Sequence, residues 1–256
     1  MYDSFVFRGV SVEEMGAEAY WGESYTVGAQ IKRGAYALPL GGSVMIGEDV
    51  PEATTRQLTL VPAPGVNDTP EWRRALLSWL QGPRAELVFR LDPETVRLAR
   101  FDKSGSGGKK VDAALGGIQL QMTLEPYART RQESGASGTT EAGALTLLMP
   151  AETGLPAPLR LVIEAGGSLT GVSVGCGGKT LALAGLDLAS GETVEYYAGD
   201  PHGTPASLKV RGQESYAPLA SGQWAILKAS RGDEITIQTT GAEADVHVYA
   251  RGWFVE

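Results

Sequence analysis

Over much of the chain, apolar and polar residues alternate one for one, as in strands that rest one face on a core. Arg56-Gln-Leu-Thr-Leu-Val61 alternates in this way. So does Ile118–Leu124, where Gln119, Gln121 and Thr123 interleave with Leu120, Met122 and Leu124. Residues 4–10, Glu86–Phe89 and Thr95–Phe101 also have strand composition. Tyr25–Ile46 is strand-like but interrupted by Gly34 and by Pro39-Leu-Gly-Gly42, which predicts an extended hairpin or arm. A helical period occurs once. Thr69 suits an N-cap, Pro70 the first helical position and Glu71 the positive first turn. Trp72, Leu76, Trp79 and Leu80 then fall on one face, and Gly82-Pro83 ends the run. Both tryptophans are expected to anchor this helix on a sheet.

The second half carries strand-sized runs only: Leu145–Met149, Leu159–Glu164, Leu169–Val174, Lys179–Ala184, Thr193–Tyr197, Gln223–Lys228, Glu234–Gln238 and Asp245–Tyr249. Their spacing suits an all-β sandwich. Between the halves, residues 131–143 form a polar, glycine-rich stretch with no large apolar side chain. Such a stretch buries too little surface to offset its ordering entropy, so a linker or surface loop is expected. The resulting organisation is mainly β, with domains at 1–132 and 144–256 joined by a linker at 133–143.

Composition narrows the function classes. A length of 256 residues accommodates two ordinary domains, and 43% hydrophobic with 20% charged residues is globular. Glycine, at 34 residues, points to many tight turns. The net charge is −8, divided as −2 over residues 1–133 and −6 over 134–256. An acidic surface disfavours nucleic-acid binding through a basic patch, and Lys109-Lys110 is too short to change that. No run approaches a membrane span. Met1–Phe7 lacks a basic n-region and a long apolar segment, so no signal peptide is expected and synthesis in the cytoplasm is. With a single cysteine, Cys176, no intramolecular disulfide framework can form. Cys176 is expected to be a buried, small apolar residue.

Motifs of chemistry were sought and none is complete. Ser173-Val-Gly-Cys-Gly-Gly-Lys179-Thr180 approaches a phosphate-cradling loop, but Ser173 stands where the first glycine is needed. Strand rather than helix follows, so a glycine-rich hairpin is predicted. The loop at 103–110 fails the same test. Two histidines and one cysteine cannot build a His/Cys-rich zinc shell, and no acidic spacing matches an EF-hand. His247 alternates with valines of the opposite face, and His202 lies in a turn. No nucleophile elbow occurs. Carboxylate pairs of the glycosidase kind are not legible across a sandwich, so that class stays open. Of Tyr196, Tyr197, Tyr216, Trp224 and Trp253, core packing is the default; adjacent Tyr196 and Tyr197 must point to opposite faces, so one faces solvent or an interface. No catalytic, cofactor-binding or metal-binding residue is assigned, and no cofactor is expected.

Several strings together resemble the distal tail proteins of long-tailed siphophages. They are Phe5-Val-Phe-Arg-Gly9, the helix with Ser78-Trp-Leu80, Leu87-Val-Phe-Arg90, and the strand Ile118–Leu124 running into Glu125-Pro-Tyr127. Leu183-Ala-Gly-Leu-Asp-Leu-Ala-Ser-Gly-Glu-Thr-Val194 and Tyr216-Ala-Pro-Leu-Ala-Ser-Gly222 complete the set. Glu125 departs from the Asp or small residue common before the Pro-aromatic pair. The resemblance implies a non-enzymatic virion component of the tail tip or baseplate, assembled in the host cytoplasm. Its first domain would be β-sandwich-like with one helix and would form a homo-hexameric ring. That ring would join the tail tube protein to tail-tip and receptor-binding proteins. Its second domain would be a galectin- or carbohydrate-module-like sandwich that touches cell-surface glycans. An arm at 34–47 would lie against a neighbouring subunit, and a non-basic ring would let DNA pass without sticking. The alternatives are a stand-alone carbohydrate-binding module protein and a hydrolase.

Overall fold

The computed structural model describes residues 4–21, 30–32, 35–37, 43–45, 50–102, 117–220 and 224–255. The chain divides into two compact units, Met1–Arg131 with Val255–Glu256, and Gln132–Phe254. The strand pairings whose register is resolved among the described residues are antiparallel. No helix of the described residues is long and apolar enough to cross a membrane.

The first unit contains β1 (Phe5–Phe7), β2 (Val10–Ser11), β3 (Ala17–Trp21), β4 (Gln30–Lys32), β5 (Ala35–Ala37), β6 (Ser43–Met45), β7 (Val50–Glu52) and β8 (Thr54–Pro62). Helix α1 (Pro70–Leu80) follows, then β9 (Ala85–Phe89), β10 (Asp92–Phe101) and β11 (Ile118–Thr130). The main sheet runs β2-β1-β9-β10-β11-β8-β3. Arg8 and Gly9 both have positive φ, 53° and 78°, and form the two-residue turn between β1 and β2. Such turns match the right-handed twist of the flanking strands.

Helix α1 starts and stops where its sequence predicts. The Trp72 amide donates to Thr69 Oγ1 at 3.2 Å, and Pro70 opens the first turn. Leu76 and Leu80 are fully buried with Phe5, Phe7, Leu58 and Met122. Trp72 and Trp79 are half-buried, and their indole N–H groups donate to the Met15 and Phe7 carbonyls, each at 3.1 Å. The Trp79 ring stacks on Phe5 at 5.9 Å, so the tryptophans are the anchors expected.

Strand β11 does not stop at Leu124. It continues through a buried Pro126 to Thr130. A proline lacks the N–H a ladder needs, but here the β10 register jumps from Ala99↔Leu124 to Arg97↔Ala128, leaving Pro126 in a bulge. Pairing with β8 has already ended at Leu124↔Thr54. Between β3 and β8, the pairs β4–β7 and β5–β6 are nested, as a single long hairpin requires. Gly34 and the Pro39–Gly42 turn lie outside the described residues, as does the loop tip at 103–110.

The second unit holds β12 (Ser134–Thr139), β13 (Ala144–Leu148), β14 (Ala157–Ala165), β15 (Leu169–Cys176), β16 (Lys179–Leu188) and β17 (Thr193–Tyr197). It continues with β18 (Ser207–Val210), β19 (Gln213–Glu214), β20 (Lys228–Ala229), β21 (Glu234–Gly241) and β22 (Ala244–Ala250). One sheet runs β12-β22-β14-β17-β18-β19, with β20 beside β14; the other runs β13-β21-β15-β16. Leu159, Leu161, Ile163, Val246 and Val248 from the first are buried, as are Val172, Val174, Leu181, Ile235 and Ile237 from the second. The alternation read from the sequence thus supplies the inner faces of a sandwich.

Two expectations are corrected. Ser134–Thr139, expected as linker, is an edge strand paired with β22 over six residues. It needs no large apolar side chains, because backbone pairing holds it and Gly135 lets the Tyr249 ring lie close. A Cβ there would meet that ring at 3.2 Å. Residues 140–143 then turn a corner into the other sheet, and the buried Thr140 hydroxyl accepts from the Ala244 amide at 2.9 Å. The second correction concerns Gln223–Lys228. Residues 224–227 are not strand, and only Lys228–Ala229 pairs with β14. The buried Tyr196 hydroxyl donates to the Ala225 carbonyl at 2.6 Å and accepts from the Leu227 amide at 2.9 Å. One side chain therefore does there what a neighbouring strand would otherwise do.

Candidate functional site

The near-matches to catalytic motifs resolve into turns and strands. Gly177 and Gly178, both at positive φ, form a two-residue hairpin turn between β15 and β16, with Cys176 opposite Lys179. No helix N-terminus follows to present amides to a phosphate. Cys176 is buried, its Sγ 3.5 Å from the Lys228 carbonyl, and burial, then Asp233, push its thiol up to about 11. It is therefore overwhelmingly the unreactive thiol at neutral pH. Among the described residues no group of three or more His, Cys, Asp or Glu is placed to hold a metal ion. His247 faces outward on β22 and stacks near Tyr249 (6.3 Å), while His202 meets the Trp253 ring edge-on at 4.8 Å.

The five aromatics separate by environment. Tyr196 and Trp253 are buried. Trp224 is half-buried between Tyr196 (5.3 Å) and Tyr216 (5.7 Å), and Tyr216 is 49% exposed. Tyr197 points away from the core, as its alternation with Tyr196 requires, and donates to Asp200 Oδ2 at 2.7 Å. Burial alone would raise the Asp200 carboxyl, but hydrogen bonds from Tyr197 and Thr204 outweigh it and hold the group below the ordinary carboxylate range.

The two outward faces of the second unit differ in chemistry. On the sheet β13-β21-β15-β16, three successive rungs bear no charge; Thr146, Thr236, Gln238, Ser173 and Thr180 are typical. The outward face of the other sheet is charged and aromatic. Cross-strand register there places Arg160 of β14 opposite both Tyr249 of β22 and Tyr197 of β17. These residues, with Glu133, Pro158, Arg251 and part of Trp253, line a shallow groove that is open to solvent. Sequence reading named Tyr197 and Trp253 but missed Arg160, Tyr249, Glu133 and Arg251. The alternation of β14 and β22 showed that Arg160 and Tyr249 face outward. The register that makes them neighbours is not written in either strand alone.

In the first unit, features suited to association are backbone ones. Among the described residues β3 is the last strand of the sheet, paired with β8, and it carries Tyr20, which is 40% exposed. The nested hairpin β4–β7 and β5–β6 extends from the adjacent stretch of chain.

No protein-family profile and no curated protein matches the sequence. Among solved structures, the chain is similar to SPP1 Dit (gp 19.1), described as a paradigm of the hub adsorption apparatus in phages that infect Gram-positive bacteria. The match covers 99% of both chains with a TM-score of 0.67 at 13% identity. The chain thus has the mainly β fold of that protein along its whole length. The major capsid protein P2 of bacteriophage PM2 also matches, over 56% of this chain and 54% of that one, at 13% identity and a TM-score of 0.24.

Proposed function

We propose that this protein is a structural component of a phage tail tip. In this reading its first unit forms a homo-hexameric ring between the tail tube protein and the host-adsorption apparatus, and its second unit serves contact with tail-tip proteins or the host surface. The observation that carries the reading is the end-to-end likeness of fold to a phage hub protein, at nearly equal chain length. The motif resemblance in the sequence points the same way by an independent route. Local chemistry supports a role in assembly rather than in bond-making: the thiol is buried, and the glycine-rich motif is a hairpin turn. The β5–β6 pair suits pairing between copies, because a two-stranded hairpin gains stability by joining a larger sheet.

The test is electron microscopy of the purified chain and of tails containing it, with mass measurement in solution. A closed ring of six copies with a central channel, seated at the tail tip, is the expected result. A solitary monomer that is absent from tails overturns it. Deleting residues 36–46 should abolish the ring; intact rings from that variant would rule out the arm contact.

A further inference from the structure

The groove on the charged face of the second unit has a built character that its surroundings lack. The Arg160 guanidinium lies over the Tyr249 ring, 4.1 Å from the centroid. Glu133 accepts from Arg160 Nη2 at 2.8 Å and stands 3.7 Å from Arg251 Nε, so one carboxylate lies between two guanidinium groups. Ring stacking and ion pairing together fix the plane of Arg160 before any ligand arrives, which removes an ordering cost from binding. The Arg160 guanidinium carries five donors, and the bond to Glu133 is made by Nη2. Arg160 and Arg251 remain about one-third exposed, at 36% and 32%.

Charge distinguishes the spot further. Residues 134–256 carry a net −6, yet the triad of two arginines and one glutamate is locally positive. Glu133 is the one carboxylate among the residues lining the groove; Asp200, beside it in the fold only through Tyr197, is itself held by the Tyr197 hydroxyl and the Thr204 amide. A pre-oriented guanidinium, Arg160, with a second, Arg251, across the same carboxylate suits the oxygens of a carboxylate or phosphate. Beside it, Tyr197, Pro158 and Trp253 supply apolar lining of the kind that meets the C–H face of a sugar ring. The groove is too shallow to enclose a compact ligand. A branched or chain-like polymer crossing the open groove fits that limit.

We propose that this groove binds an anionic saccharide, its carboxylate or phosphate held by Arg160 and Arg251 and its ring resting beside Tyr197. The tail-tip reading supplies the source, a polymer of the host surface, but the site stands on its own geometry.

Calorimetric titration of the full chain at low salt tests it, with oligogalacturonate and phosphorylated maltohexaose as the acidic probes and maltohexaose as the neutral one. At least one acidic probe should bind, more weakly as salt rises, and which of the two binds identifies carboxylate or phosphate as the recognised group. Arg160→Met and Tyr249→Ala should each weaken binding about tenfold, while Tyr249→Phe keeps the stacking ring and binds as the parent does. Arg251→Met gives an independent readout should Arg160→Met melt early. Failure of both acidic probes, equal binding of maltohexaose, or parental affinity in the Tyr249→Ala and arginine variants each overturns the proposal. Rings without binding would sink this site and leave the hub reading intact; binding by a chain that never forms rings would do the reverse.

Discussion

Arg8 offers the sharpest test of how the first unit is held together. It sits at φ 53° in the β1–β2 turn, and its guanidinium donates to the carbonyls of Gln81 at 2.8 Å, Pro83 at 2.9 Å and Trp79 at 3.3 Å. The last turn of α1 has no basic residue of its own. Arg8 therefore supplies, from a distant hairpin, the cation that a helix C-terminus favours. The contact is exposed, which discounts each charge-assisted bond below its buried worth. Summed with the helix-terminus interaction, Arg8→Ala should cost about 1.5–2 kcal/mol. Arg8→Gly loses the same bonds but relieves roughly 1 kcal/mol of left-handed backbone cost, so it should be about half as damaging. Urea unfolding followed by tryptophan fluorescence measures both, and hydrogen exchange over residues 70–83 localises the change. An Arg8→Ala variant within the about 0.5 kcal/mol typical of neutral surface changes would refute the cap. An Arg8→Gly variant as unstable as Arg8→Ala would leave the cap standing and refute the backbone argument.

Leu76→Ala should cost about 2–5 kcal/mol in the same unfolding assay, since Leu76 is fully buried beneath the helix; a loss below about 1 kcal/mol would mean the helix is not anchored there. Tyr196→Phe leaves the Ala225 carbonyl and Leu227 amide without their shared partner and should cost about 1–3 kcal/mol. Burial pushes the Tyr196 hydroxyl from 10.0 up to about 12, so its unfolded form ionises first. The stabilisation it contributes is complete below pH 10 and declines as pH rises to about 12, a decline that the Tyr196→Phe variant should lack. A phenolate absorbance titration with every tyrosine ionising near its ordinary value would contradict this. Cys176 should resist iodoacetamide at mildly alkaline pH until denaturant is added; rapid labelling of the native chain would show that the thiol is not buried.

Local rules were enough for much of the architecture. Thr69, Pro70 and the apolar stripe through Leu80 define α1 because caps and helical periodicity act over a few residues, and alternation placed β8, β14 and β22 with the correct faces inward. Ser134–Thr139 shows where such rules stop. A polar, glycine-rich string carries no hydrophobic signal, yet it becomes strand because β22 offers a row of backbone groups for it to pair with. Pro126 is another instance: its place inside β11 depends on a bulge set by the partner strand β10.

The groove draws the same line more sharply. One-for-one alternation along each strand already commits Arg160, Tyr197 and Tyr249 to the side away from the core, since side-chain direction in a strand follows from covalent geometry. That these three stand abreast, with Glu133 and Arg251 closing the group, follows from strand order and register. Those are properties of paired chains rather than of any segment, and they are settled only when the whole sandwich packs.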